Sequence, residues 1–214
     1  MNCFLVDIGK SLLLLDTNLP NSEAAFLNAA QDIGKPITHI ALTHPHSDHA
    51  GSIDGVATHI SGLHFAASAR SAAYMQGDFS LPADDTGKLN PNNFKQVQTP
   101  VTQIVKDGDQ FGPLKAVQTP GHTRDHFSWY DPRDGTFYSG DAWQSVGTVA
   151  VMGDVRWQFP FPGLITWDKQ ESLKSAARVL ELKPRRLCTG HGKVVENALQ
   201  VMGQAFKRAG RKFS

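Results

Sequence analysis

His44, His46, Asp48 and His49 fall within six consecutive positions of the stretch Thr43-His44-Pro45-His46-Ser47-Asp48-His49-Ala50-Gly51. The chain has nine histidines, and four of them lie between His39 and His49. A solvated surface has no reason to crowd imidazoles, which repel one another as they protonate. A metal ion supplies the reason, because neutral imidazole nitrogen and carboxylate oxygen are its usual ligands. His44 and His46 are one residue apart, so on an extended segment both side chains point the same way and can grip one ion. Asp48 and His49 come next along the chain and are free to grip a second.

Two protein ligands complete neither ion, so others must arrive from elsewhere. Three candidates stand in glycine-flanked turns after strand-like runs: His122 in Pro120-Gly121-His122-Thr123, Asp141 in Ser139-Gly140-Asp141, and His191 in Gly190-His191-Gly192. Glycine there lets backbone turn sharply and approach closely. If His122 joins the first ion, His191 the second, and Asp141 bridges both, the ligand count closes with no stray group.

The elements that must position these residues are legible in outline. Asn2–Ile8 and Ser11–Asp16 read as strands joined by a Gly9-Lys10 hairpin turn. Asn21–Ile33 reads as a helix, capped by Asn21 or Ser22 and closed by Gly34 before Pro36. Ile37–Leu42 is a buried strand leading into the histidine cluster, and a helix is expected from His49 to about Val56. Leu63–Ala67 reads as a strand and Ser68–Tyr74 as a helix. Gln76–Pro100 is a polar loop, with a lid over the site as the alternative.

From Val101 to Ser139, strand runs alternate with turn signals at Asp107-Gly108, Pro120-Gly121 and Asp134-Gly135, predicting a second, mostly antiparallel sheet. Trp143–Trp167 reads as an aromatic linker. Asp168 caps an amphipathic helix ending at Lys183-Pro184. Arg186–Thr189 is a last strand, and Val195–Ala209 the final helix. A single domain, 1–214, is expected, with two sheets packed face to face and helices outside.

Composition excludes several classes. A net charge of +1, with no Lys/Arg cluster beyond Pro184-Arg185-Arg186 and the last eight residues, gives no footprint for nucleic acid. Leu12–Leu15 is far short of the ~20 apolar residues of a membrane span, so no membrane partner is expected and a cytoplasmic location is the default. Cys3 and Cys188 read as buried small hydrophobes in a reducing compartment rather than a disulfide. A homodimer stays open.

The order His-x-His-x-Asp-His, then Gly-His, Gly-Asp and Gly-His-Gly resembles the metallo-β-lactamase superfamily along essentially the whole chain, and Leu14-Leu15-Asp16-Thr17 looks like that family's second strand. The resemblance implies an α/β fold, a four-layer αβ/βα sandwich of two mixed sheets with outer helices. It implies a dinuclear site with His44, His46 and His122 on one metal, Asp48, His49 and His191 on the other, and Asp141 bridging. Two divalent ions are expected, Zn2+ first, with Mn2+ or Fe2+ as alternatives. Asn18 stands where the family commonly has glycine, and Asn tolerates the left-handed backbone such a turn needs.

The reaction this implies is hydrolysis of a carboxylic ester, thioester or lactone, with Asp48 as the catalytic proton carrier. Classical β-lactamases of the family usually carry Cys where Asp141 stands. Glyoxalase II adds a helical domain after the final histidine, whereas 23 residues follow His191 here. The homoserine-lactone lactonases carry tyrosine where this chain has Gln144. A glyoxalase II/lactonase-like branch without that added domain is the expected placement, with a mononuclear iron persulfide dioxygenase as the alternative.

Around the ligands, Asp16 is a candidate to orient a ligand histidine. His126 is read as packing or surface rather than substrate-contacting, and His39, His59 and His64 as ordinary. Trp143, Trp157, Phe159 and Phe161 either wall a site for a small molecule with an apolar or aromatic part or fill the gap between sheet and helix. Solvent exposure of Trp157 and Phe159 discriminates.

Overall fold

The computed structural model describes residues 1–81, 85 and 89–213, without the side chain of Pro162. The chain forms two compact units, Met1–Val105 and Lys106–Ser214.

In the first unit, β1 (Phe4–Asp7) and β2 (Leu12–Leu15) form the expected antiparallel hairpin. α1 (Glu23–Ile33) follows, stopped by Gly34 in a left-handed conformation at φ 77°. Its N-terminus differs from expectation. The Ser22 side chain makes no capping hydrogen bond, and its backbone N–H instead donates to Ser52 Oγ at 2.8 Å. Next come β3 (Ile37–Ala41), α2 (Ser47–Ala50), α3 (Ile53–Ala57), β4 (His64–Ser68), α4 (Ala69–Met75), a 3-10 turn (Pro91–Asn93) and β5 (Gln103–Val105). Positions 82–84 and 86–88 of the Gln76–Pro100 loop lie outside the described residues.

The sheet order is β1-β2-β3-β4-β5. Only the hairpin is antiparallel; β2–β3, β3–β4 and β4–β5 are parallel. This corrects the reading of the Val101–Ser139 tract, because its first strand completes this sheet instead of opening the next. Leu12, Leu14, Ile40, Leu42, Phe65 and Ala67 form a core with Ile53 and Val56 of α3. Each fully buried aliphatic or aromatic side chain contributes about 1.5–3 kcal/mol, so the strand ends that carry the histidine loop rest on a firm base.

In the second unit, β6 (Gln110–Phe111), β7 (Leu114–Gln118), β8 (Phe127–Asp131) and β9 (Thr136–Gly140) form an antiparallel meander. The Trp143–Trp167 segment is not a bare linker. It folds into a hairpin of β10 (Trp143–Gln144) and β11 (Ala150–Val151), then a short α5 (Phe161–Leu164). α6 (Lys169–Glu181) is capped as predicted, Asp168 accepting from the N–H groups of Gln170 and Glu171. β12 (Arg186–Thr189) adds to β9 in parallel, and β13 (Val195–Glu196) to β12 antiparallel.

The last helix, α7 (Ala198–Phe213), starts three residues later than the sequence suggests. Val195 and Glu196 pair in the sheet, and Asn197 turns the chain at φ 50°. Phe137, Trp143, Val151, Val179, Leu187 and Met202 share the second core.

No helix among the described residues is long and apolar enough to cross a membrane. Cys3 and Cys188 are free thiols. Burial pushes the Cys188 thiol up to about 12 and raises Cys3 as well.

Candidate metal centre

In the first unit the ligand motif begins where β3 ends. Thr43 anchors it: its N–H donates to Asp16 Oδ1 and its hydroxyl to Asp16 Oδ2, both at 2.8 Å. The same hydroxyl lies 3.1 Å from His44 Nδ1, which turns His44 Nε2 toward His46 Nδ1, 3.0 Å away. His46 is extended, at φ −62° and ψ 150°, and starts α2. His44 and His46 therefore share a side as period two requires, and Asp48 and His49 ride on the helical turn that follows. The helix begins at Ser47, two residues earlier than expected.

Asp16 reaches His49 too, with Oδ2 2.8 Å from Nδ1. A carboxylate accepts only, so His49 Nδ1 carries the proton and Nε2 keeps its lone pair for a ligand. Asp48 Oδ2 lies 3.8 Å from that Nε2. Asp16 and Asn18 hold left-handed backbone at φ 55° and 56°, so Asn18 does adopt the turn that glycine would make. Gly51 follows because a Cβ there would strike the Asn18–Pro20 backbone.

The long loop returns to this motif. Lys95 N–H donates to the Pro45 carbonyl at 2.8 Å, and Phe94 forms an antiparallel bridge with His46. The Phe94 ring lies 5.0 Å from the His46 imidazole and 4.8 Å from the Tyr74 ring, which itself stacks on Phe79. Sequence reasoning missed Phe94. The only local signal was Asn90-Pro91, which starts the 3-10 turn.

In the second unit, His122 sits on a turn tied to the start of α6: the Trp167 and Asp168 N–H groups donate to the His122 and Gly121 carbonyls at 3.0 and 2.9 Å. Gly121, at φ 144°, lies so close to Ser172 that no side chain fits. Asp141 follows β9 directly. His191 follows β12, with its carbonyl accepting from the Ser145 N–H at 2.9 Å. Asp141 Oδ2 lies 3.6 Å from His122 Nε2 and 3.5 Å from His191 Nε2. One carboxylate oxygen thus faces two imidazole nitrogens, the arrangement a bridging ligand needs.

His126 is buried, as a packing role requires, and hydrogen-bonds Thr119 and the Asp141 backbone. His39 and His64 form a stacked cross-strand pair on β3 and β4, rings 4.6 Å apart, separate from the ligand motif in register. Burial, then the neighbouring imidazole, lowers the His39 pKa.

The aromatic segment divides. Trp143 is fully buried in the core and is not part of a wall. Trp157 is 86% exposed and Phe161 69% exposed, while the half-buried Phe159 lies 4.9 Å from the His191 ring. Of the two residues whose exposure discriminates wall from filler, Trp157 is exposed and Phe159 is half-buried beside His191.

The donor set suits divalent metal. Two nitrogens on one tetrahedral Zn2+, each about 2.0–2.1 Å away, would stand roughly 3.3 Å apart. His44 Nε2 and His46 Nδ1, buried at 3.0 Å, already approximate that spacing.

Comparison with known proteins agrees with this chemistry. The family model described as "Metallo-beta-lactamase superfamily" matches residues 2–191, a span that holds all seven ligand candidates. The uncharacterized protein YobT of Bacillus subtilis (strain 168) is 39% identical over 210 residues, covering 98% of this chain and 90% of that one. The atrochrysone carboxyl ACP thioesterase of Aspergillus fumigatus is 24% identical over 217 residues, 99% of this chain but 56% of the longer relative. Among solved structures, TTHA1623 in a di-iron-bound form superposes with a TM-score of 0.69 at 24% identity, covering 93% of this chain and 91% of that one. With two mixed sheets flanked by helices and histidine–aspartate clusters on their loops, the chain belongs to the metallo-β-lactamase superfamily.

Proposed function

We propose that the protein is a dinuclear metallo-hydrolase that cleaves a carboxylic ester, thioester or lactone. In this reading His44, His46 and His122 hold one ion and Asp48, His49 and His191 the other, with Asp141 shared and the chain 1–214 acting as one domain. The observation that carries it is the imidazole cluster of the first unit, where His44, His46 and His49 are buried and the Asp16 carboxylate fixes His49 with Nε2 as its ligand atom. Divalent ions held by such a set would lower the pKa of bound water from 15.7 towards about 7 and would polarise a carbonyl.

The residues divide the remaining work. Asp48 is the most exposed of the ligand carboxylates, at 36% against 4% for Asp141, so it can reach a leaving group and carry the proton to it. Phe159, beside His191, with Trp157 and Phe161 beyond it, offers an apolar surface to a small-molecule substrate with an apolar or aromatic part. A relative named as a thioesterase supports the choice of acyl bond.

The test is chelation followed by an assay of ester, thioester and lactone substrates. Activity is expected to vanish with the metal and return with Zn2+ or Mn2+, while D48A binds one ion and loses nearly all turnover. Full activity in metal-free protein would sink the reading. A mononuclear iron persulfide dioxygenase is the second reading, in which some of the second-ion residues hold no metal. One iron per chain by elemental analysis would favour it.

A further inference from the structure

We infer that His126 is a positioning residue that locks Asp141, the shared carboxylate of the reading above, through a one-way hydrogen-bond chain; the inference rests on that reading for its catalytic consequence. The chain begins at the Asp141 backbone N–H, which donates to His126 Nε2 at 3.1 Å. A ring nitrogen that accepts carries no proton, so the neutral imidazole bears its proton on Nδ1. That nitrogen lies 2.8 Å from Thr119 Oγ1 and must donate to it. Thr119 Oγ1 lies 2.8 Å from Ser128 Oγ, and Ser128 Oγ donates onward to the Ser139 carbonyl at 3.1 Å. With its last link a donor to a carbonyl, Ser128 can only accept from Thr119. Every proton in the chain therefore has one place.

Both ends of the chain fall on the same turn. It starts at Asp141 and finishes at Ser139, which also accepts from the Ala142 N–H at 3.0 Å. Gly140 between them is left-handed at φ 50°, and its carbonyl accepts from the Gly190 N–H at 2.9 Å. The hydrogen-bond chain adds support from the ends of β7 and β8. Thr119 N–H donates to the His126 carbonyl at 3.0 Å, tying the ring's backbone to the hydroxyl that holds its Nδ1. His126, Thr119 and Ser128 are all buried, where such bonds are strong and unmet donors costly.

The consequence is geometric. Asp141 Oδ2 stands within 3.5–3.6 Å of two ligand histidines, and a carboxylate serving both must not swing toward either. Sequence alone reads His126 as packing or surface because its partners lie 7 and 15 residues away.

The experiment uses the full-length protein in two arms. Long-range 1H–15N correlation of the imidazoles, with H126Q to assign the signals, should show His126 in the Nδ1–H tautomer; an Nε2–H tautomer overturns the proposal. In the second arm, chelator competition measures affinity for the two zinc ions. H126F, which cannot accept from Asp141, should lose tenfold or more for the weaker ion, with kcat falling and KM within about twofold. H126Q keeps one acceptor and one donor and should recover most of that loss. If H126F does not fold, T119V asks the same question by removing the acceptor of Nδ1–H. Wild-type affinities in the folded variants overturn the lock. Loss of affinity in H126F with no ester turnover by any form supports the lock and overturns only the hydrolase reading.

Discussion

Asp16 and His49 are joined across 33 residues by a 2.8 Å bond that also decides which imidazole nitrogen can bind metal. The carboxylate accepts from Nδ1–H and from Thr43 at once, so ligand tautomer and loop position depend on one side chain. D16N is nearly isosteric but can present an N–H to Nδ1, which then accepts and forces the ring proton onto Nε2. Metal affinity or turnover should fall by roughly 10- to 100-fold, read by metal content and kcat. A D16N protein with wild-type metal content and turnover would show that the bond does not set the tautomer.

Phe94 bears on the other side of the motif. Its ring presses His46 at 5.0 Å and is backed by Tyr74 at 4.8 Å. F94A should cost about 1–3 kcal/mol of stability, less than a fully buried phenylalanine because Phe94 is half-buried. It should also weaken metal retention several-fold in chelator competition, with F94L restoring most of both. Unchanged retention would leave Phe94 as packing alone.

Gly192 holds the turn after His191 at φ 116°, where a Cβ would overlap Ser145. Left-handed strain and overpacking cost about 1–3 kcal/mol each. G192A should therefore lower the melting temperature by about 4–24 °C, given about 2–4 °C per kcal/mol for a chain of this size. Ser145 also bonds Thr189 and the Lys193 carbonyl, so the shift should displace His191 and reduce metal content. A folded G192A with wild-type stability would refute the close approach.

What could be read beforehand follows the reach of the interactions. His44 to His49 form a motif within six residues, and glycine marked the turns of His122, Asp141 and His191 because each needs sharp backbone or close contact. Asp168 was legible as a cap because its partners are two and three residues away. β5 was assigned to the wrong sheet because a parallel strand pairs across a long connection, here from β4 through the whole 76–100 loop. Phe94 was invisible for the same reason, since its partner lies 48 residues back. Trp143 stayed open between core and wall because a two-residue strand has no period to distinguish them.

Asp154 offers a test independent of the metal centre. Its side chain is fully buried, yet it accepts from Arg208 Nε at 2.8 Å and Lys212 Nζ at 2.5 Å, with Arg156 at 3.8 Å. Arg208 also donates to the Val149 carbonyl, so the carboxylate fastens the segment after β11 onto α7. Burial raises its pKa, but the hydrogen bonds from Lys212 and Arg208 outweigh burial and hold it below the usual carboxylate range. A group depressed on folding stabilises the protein fully above its unfolded pKa and loses that contribution as pH falls through the folded one. D154N should cost roughly 2–4 kcal/mol near pH 7, somewhat under the 3–5 typical of a broken buried pair, because the cations remain partly exposed. The gap between wild type and D154N should narrow only on acidification below the usual carboxylate range, as seen in denaturant midpoints across pH. A gap that is constant down to that range and beyond it would mean that Asp154 acts through shape and not through charge.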